Sequence, residues 1–171
     1  MRHKPEIFVS AKGVTLAKYV GKTQQQFNLV VTSDLKRAEQ TALHMGHRVD
    51  KKLHDLGSIP SAIIKYVGWP VPFSRIAEVV DEGGVVAEFA VAQAASWSSI
   101  LNQMPDSKST LIVTHGLMIE LGMVACFPNA AHEEWGEAIG YCEGMLLTYN
   151  GTKFLHCELL RVPESKYLVN N

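Results

Sequence analysis

The sequence predicts an α/β fold: a single-domain three-layer sandwich over residues 1–171, with a mostly parallel central sheet and helices on both faces. Three observations carry the prediction. Two short β-branched apolar runs, FNLVVTS and STLIVTHG, read as buried strands. Each passes directly into a segment rich in helix formers, and further helical segments lie between them. Strands alternating with helices pair in parallel, with the helices packed on the two faces.

The elements follow in order. SAKGVTLAKYVGK is the first helix, with Val14, Ala17 and Val20 on one face and Ser10 placed to cap its start. FNLVVTS is the first buried strand and leads into the helix DLKRAEQTALHMG, with Asp34 in its first turn and Gly46 at its end. From Val49 to Gly84 the pattern is least regular. Pro60, Pro70 and Pro72 predict loop there, with one short helix around Ala62 to Val67. A long helix, VVAEFAVAQAASWSSILNQM, follows Gly83-Gly84. The second buried strand, STLIVTHG, then runs into the helix LMIELGMVACF. The last part reads as a hairpin, EGMLLTY and KFLHCELLRV around Asn150-Gly151, a pair that accepts the positive φ angles of a tight turn.

Bulk properties exclude several function classes. The net charge is -1 with acidic and basic residues nearly balanced, which leaves no electrostatic footprint for nucleic acid or an anionic membrane. No window holds about 18 consecutive apolar residues, which argues against a membrane span, and the polar start lacks a signal peptide's apolar core. Cys126, Cys142 and Cys157 are odd in number and widely spaced, giving neither a disulfide framework nor a zinc pattern. Buried, reduced thiols in a cytoplasmic protein are the expectation. No metal or cofactor is expected, and oligomeric state is not readable.

In α/β folds ligands bind where strand C-termini meet helix N-termini, and two polar junctions of this chain fall there. VVTSDLKR puts Ser33 at a strand end and Arg37 a helical turn further on. A guanidinium at that place matches phosphate bidentately and keeps its charge, although on spacing alone a surface helix arginine is the commoner case. IVTHGL puts His115 at a strand end, with Gly116 allowing close backbone approach and a helix N-terminus behind. An imidazole there adds a hydrogen bond or a charge, or is simply a structural residue.

These segments resemble one known family. LVVTSDLKRAEQTA is similar to the S-x-L-x-R-A-x-Q-T-A signature of the histidine phosphatase, or phosphoglycerate mutase-like, superfamily, and STLIVTHG to its second-histidine strand. SAKGVTLAKYVG resembles its L-T-x-x-G-x-x-Q-A-x-x-L-G helix, and MRHK offers Arg2 and His3 where the family has Arg-His-Gly. The likeness covers residues 2 to about 126 and is weakest in the middle. It implies a phosphoglycerate mutase-like fold and His3 as a nucleophile taking a phosphoryl group. Arg2 and Arg37 would hold the phosphoryl oxygens, and His115 would complete the pocket. The family's carboxyl proton donor lies in an L-x-E segment resembled by KLHDLG, which makes Asp55 the first candidate, with Glu82 and Glu88 in reserve.

Two departures stand out. Lys4 replaces the family's glycine and either leans toward the phosphate or faces solvent. The family's apolar strand before Arg-His has only Met1 in its place, so the first strand reads as truncated. Either the chain begins late, the preferred account, or another segment fills the gap, or EIFVSA is itself the first strand. The implied function is a metal-independent phosphatase acting on a small phosphorylated substrate or a phosphoprotein. The alternatives are a weakened phosphate-binding pseudo-enzyme and a phosphoglycerate mutase.

Overall fold

The computed structural model describes residues 8–104 and 108–166. Helix α1, Ala11–Gly21, starts where Ser10 Oγ accepts from the Gly13 N–H, the cap that the sequence suggests. Strand β1 is Leu29–Ser33 and helix α2 is Lys36–His44. Asp34 lies outside α2, not in its first turn: it pairs instead with His54, Nδ1 to Oδ2 at 2.8 Å. Strand β2, Lys51–Leu53, leads through a 3-10 turn at His54–Leu56 to helices α3, Ser61–Val67, and α4, Phe73–Asp81. Helix α5 is Gly84–Leu101, strand β3 is Thr110–Val113 and helix α6 is Met118–Cys126. The hairpin is β4, Gly144–Tyr149, with β5, Phe154–Leu160.

The region from Val49 to Gly84 therefore corrects the expectation of loop with one helix. Pro60 and Pro72 do not break helices; they sit at the N-caps of α3 and α4, where a missing N–H costs nothing. Gly68, at φ 74°, ends α3 in the left-handed conformation. Helix α4 buries Phe73, Ile76, Ala77 and Val79 on one face, a helical period hidden in sequence by the flanking prolines.

β1 is the middle of a parallel sheet ordered β2-β1-β3, with Val31 opposite both Lys51 and Ile112. Val31 joins the main core with α4, α5 and α6. Its neighbour Val30, buried but not part of that core, points to the other face, where α1 and α2 pack. Among the described residues, α5 alone is long and apolar enough to suit a membrane span, yet its Val86, Ala90, Gln93, Trp97 and Ile100 are buried in the fold. Trp97 lies over Gly122 of α6, where an added Cβ would sit 2.4 Å from the ring.

The antiparallel hairpin forms a second sheet whose Met145, Leu147, Phe154, Cys157 and Leu159 pack against the same core. Its connection, residues 150–153, is held by Asn150 Oδ1, which accepts from the N–H groups of Thr152 and Lys153. Among the described residues, neither sheet pairs with Phe8–Ser10. The Val9 N–H donates instead to Gln40 Oε1 on α2 at 2.9 Å, and Ala11 already begins α1. This rules out EIFVSA as the first strand over its described part. The three cysteines are free, but half-buried where full burial was expected. Burial pushes the thiols of Cys126 and Cys142 up to about 12 and about 11, which keeps them unreactive.

Candidate functional site

The C-terminal ends of β2, β1 and β3 lie side by side, because the three strands are parallel. Each end delivers a residue singled out from sequence: Asp55 just after β2, Ser33 as the last residue of β1, and His115 two residues after β3. Arg37, on the first turn of α2, reaches back over the same edge.

Ser33, Arg37 and His115 form one hydrogen-bonded chain. Arg37 Nε donates to His115 Nδ1 at 3.2 Å, and His115 Nε2 lies 2.8 Å from Ser33 Oγ. A guanidinium only donates, so Nδ1 must be the accepting nitrogen of a neutral ring. The proton is then on Nε2, and His115 donates to Ser33 Oγ. The Leu35 N–H also reaches Ser33 Oγ, at 3.4 Å. With its oxygen accepting, the Ser33 hydroxyl keeps its own proton to donate. Electrostatics agree: burial first, then the Arg37 charge, push the His115 imidazole down to about 4, against a smaller opposite pull from Asp34.

Close packing holds this edge together. Ser33 is fully buried, and a Cβ on Gly57 would lie 2.9 Å from its Cβ and 3.2 Å from its Oγ. Thr114 Oγ1 donates to the Leu56 carbonyl at 2.6 Å, tying the end of β3 to the turn after β2. Beyond His115, Gly116 is covered by the Trp69 indole, with Cζ2 2.4 Å from where a Cβ would stand. Leu117 follows at φ 65°, an unfavourable conformation for a branched residue, held because its side chain is buried. Strain of this kind collects where a chain must present particular groups.

The remaining candidates are placed as follows. Asp55 is exposed in the 3-10 turn; its carbonyl accepts from Gln93 Nε2, and its carboxylate bonds to no described residue. Its neighbour His54 is raised in pKa by the hydrogen bond to Asp34, with Asp55 adding to the effect. Glu82 sits at the end of α4, where it accepts from Tyr66 Oη at 2.8 Å and faces Arg75 at 3.8 Å. Glu88 is exposed on α5. Neither glutamate bonds to the Ser33–His115–Arg37 chain among the described residues. Arg2, His3 and Lys4 lie outside the described residues. Sequence reasoning passed over Thr114, Gly57 and His54, all of which flank residues it did select.

No protein-family model matches this sequence, and no curated protein matches it. Solved structures do. A phosphoserine phosphatase from Entamoeba histolytica, crystallised with 3-phosphoglyceric acid, superposes with a TM-score of 0.70 at 13% identity, covering 95% of this chain and 89% of that one. A mutant of a phosphoserine phosphatase from the same organism, with phosphoserine, gives 0.67 at 16% identity over 96% and 88%. A Mycobacterium tuberculosis open reading frame product gives 0.61 at 18% identity over 91% and 84%. The chain shares the phosphoglycerate mutase-like fold of these proteins.

Proposed function

We propose that this chain is a metal-independent phosphatase of the histidine phosphatase superfamily. It hydrolyses a small phosphomonoester, or a phosphohistidine on a protein, through a phosphohistidine intermediate on His3. The observation that carries the reading is the contact between Arg37 and His115, 78 residues apart, at the shared end of three parallel strands. A fixed guanidinium, a neutral imidazole and a free hydroxyl proton there suit one tetrahedral oxyanion. The phosphatase neighbours support the same chemistry, and the roles of Arg2 and His3 rest on the sequence resemblance.

Phosphoryl transfer spreads charge over three equatorial oxygens, so catalysis is mainly positioning and electrostatic stabilisation. A His3 ring nitrogen attacks phosphorus, and the N–P bond forms as the ester P–O bond breaks. Arg2 and Arg37 hold the oxygens, and His115 joins them by turning its Nε2–H from Ser33 Oγ to the phosphoryl group, while Asp55 gives its proton to the leaving alkoxide. The Asp55 carboxylate then takes a proton from water, whose oxygen attacks phosphorus. The N–P bond breaks, returning neutral His3 and inorganic phosphate.

A phosphate-binding domain without turnover is the second reading, favoured by Asp55: its short side chain is exposed and no described residue aims it. Turnover of p-nitrophenyl phosphate in EDTA separates the two. The expected result is activity in the wild type that His3→Ala abolishes and Arg37→Ala lowers strongly. Phosphate binding without turnover in the wild type selects the second reading, and activity that survives His3→Ala removes the nucleophile assignment.

A further inference from the structure

Behind the oxyanion site lies a buried carboxyl group that the proposed reaction does not use. Glu120, on α6, is completely buried. Its Oε1 accepts from Trp69 Nε1 and from the Ile139 N–H, both at 3.0 Å, and its Oε2 has no partner among the described residues. A carboxyl group enclosed this way is costly unless its hydrogen bonds serve a purpose. One bond ends on the indole that covers Gly116, the residue joined to His115. Trp69 itself is only partly buried, so the grip on its N–H, with the contact on Gly116, fixes where the ring stands.

We propose that Glu120 is a positioning residue of the oxyanion site: it holds the Trp69 indole over Gly116 and makes that ring the site's wall beside His115. The inference rests on the phosphate-binding reading above. Gly116 leaves room for the ring, and Glu120 supplies the acceptor that keeps it from swinging away. Burial raises the Glu120 carboxyl in pKa, against the opposing hydrogen bonds from Trp69 and nearby backbone. Both bonds to the carboxyl end on Oε1, so an amide whose oxygen stands there preserves the grip.

The test uses full-length protein carrying 5-fluorotryptophan, with inorganic phosphate as the probe. Phosphate affinity comes from calorimetry, and Trp69→Phe assigns the Trp69 fluorine resonance. The expected result is a Trp69 resonance that shifts on phosphate saturation while those of Trp97 and Trp135 stay. Glu120→Leu, confirmed folded by circular dichroism, then weakens phosphate binding about fivefold or more, the worth of one net hydrogen bond, whereas Glu120→Gln stays within about twofold. Trp69→Phe, which leaves Glu120 in place but has no N–H, gives the same weakening and serves if the leucine variant does not fold. Phosphate binding that leaves the Trp69 resonance unmoved overturns this inference alone. So does wild-type affinity in both Glu120→Leu and Trp69→Phe, or a Glu120→Gln variant as weak as Glu120→Leu. Absence of calorimetric phosphate binding in the wild type overturns the functional reading, and this inference with it.

Discussion

His115 gives the site a measurable acid sensitivity. Its imidazole ionises near 4 in the folded chain and near the ordinary ~6.5 when unfolded. Above pH 6.5 both states hold the ring neutral, and it contributes no pH dependence. As pH falls below 6.5 the unfolded chain takes up a proton that the folded chain refuses until about 4, so stability drops through that window. Integrating the difference gives a loss of about 2 kcal/mol at pH 5 and about 3 kcal/mol at pH 4. His47, also lowered by burial, acts in the same direction, and Glu120, raised, acts in the opposite one. A variant therefore isolates the ring: urea unfolding of the wild type and His115→Gln, each from pH 7.5 to 4.5. The wild-type stability should fall relative to the variant by about 2 kcal/mol between pH 7.5 and 5. A wild-type minus variant difference that stays flat across this range would refute a buried neutral imidazole, and with it the proton assignment from Arg37 through His115 to Ser33.

Three further outcomes are expected. Arg37→Lys keeps the charge but loses the Nε bond to His115, so phosphate affinity by calorimetry should fall about tenfold or more with little change in melting temperature; undiminished affinity would remove Arg37 from the site. Gly122→Ala forces a methyl group into the Trp97 ring between α5 and α6, and urea unfolding should show a loss of about 1–3 kcal/mol. Arg161 donates to the carbonyls of Trp135, Glu137 and Ala138 and pairs with Glu143 at 2.8 Å. Arg161→Ala should cost about 2 kcal/mol in the same assay while phosphate affinity is unchanged, and equal losses in both would place this corner in the site.

The fold was legible wherever local signals were strong. β-branched runs marked β1 and β3, Ser10 marked the start of α1, and Asn150-Gly151 marked the hairpin. Helix α4 was not legible, because Pro70 and Pro72 read as breakers when Pro72 is in fact a cap. β2 is only three residues long and begins with two lysines, so it carries no apolar run to detect. Within the site, Ser33, Arg37 and His115 were legible as junction residues, but their contact spans some eighty positions and no local pattern encodes it. Glu120 shows the reverse. Within LMIELGMVACF it reads as the one polar position of an apolar helix, and only the folded chain reveals an acceptor aimed at Trp69.

The turn after β2 has a consequence for how this protein tolerates change. Residue 57 never needs to touch a phosphate, yet the buried hydroxyl of Ser33 has its room only because position 57 carries no side chain. In a saturation scan selected for phosphate binding, that position should score as intolerant as 33 or 37, and even alanine should fail. Its neighbour Ser58, exposed to solvent, should accept almost anything.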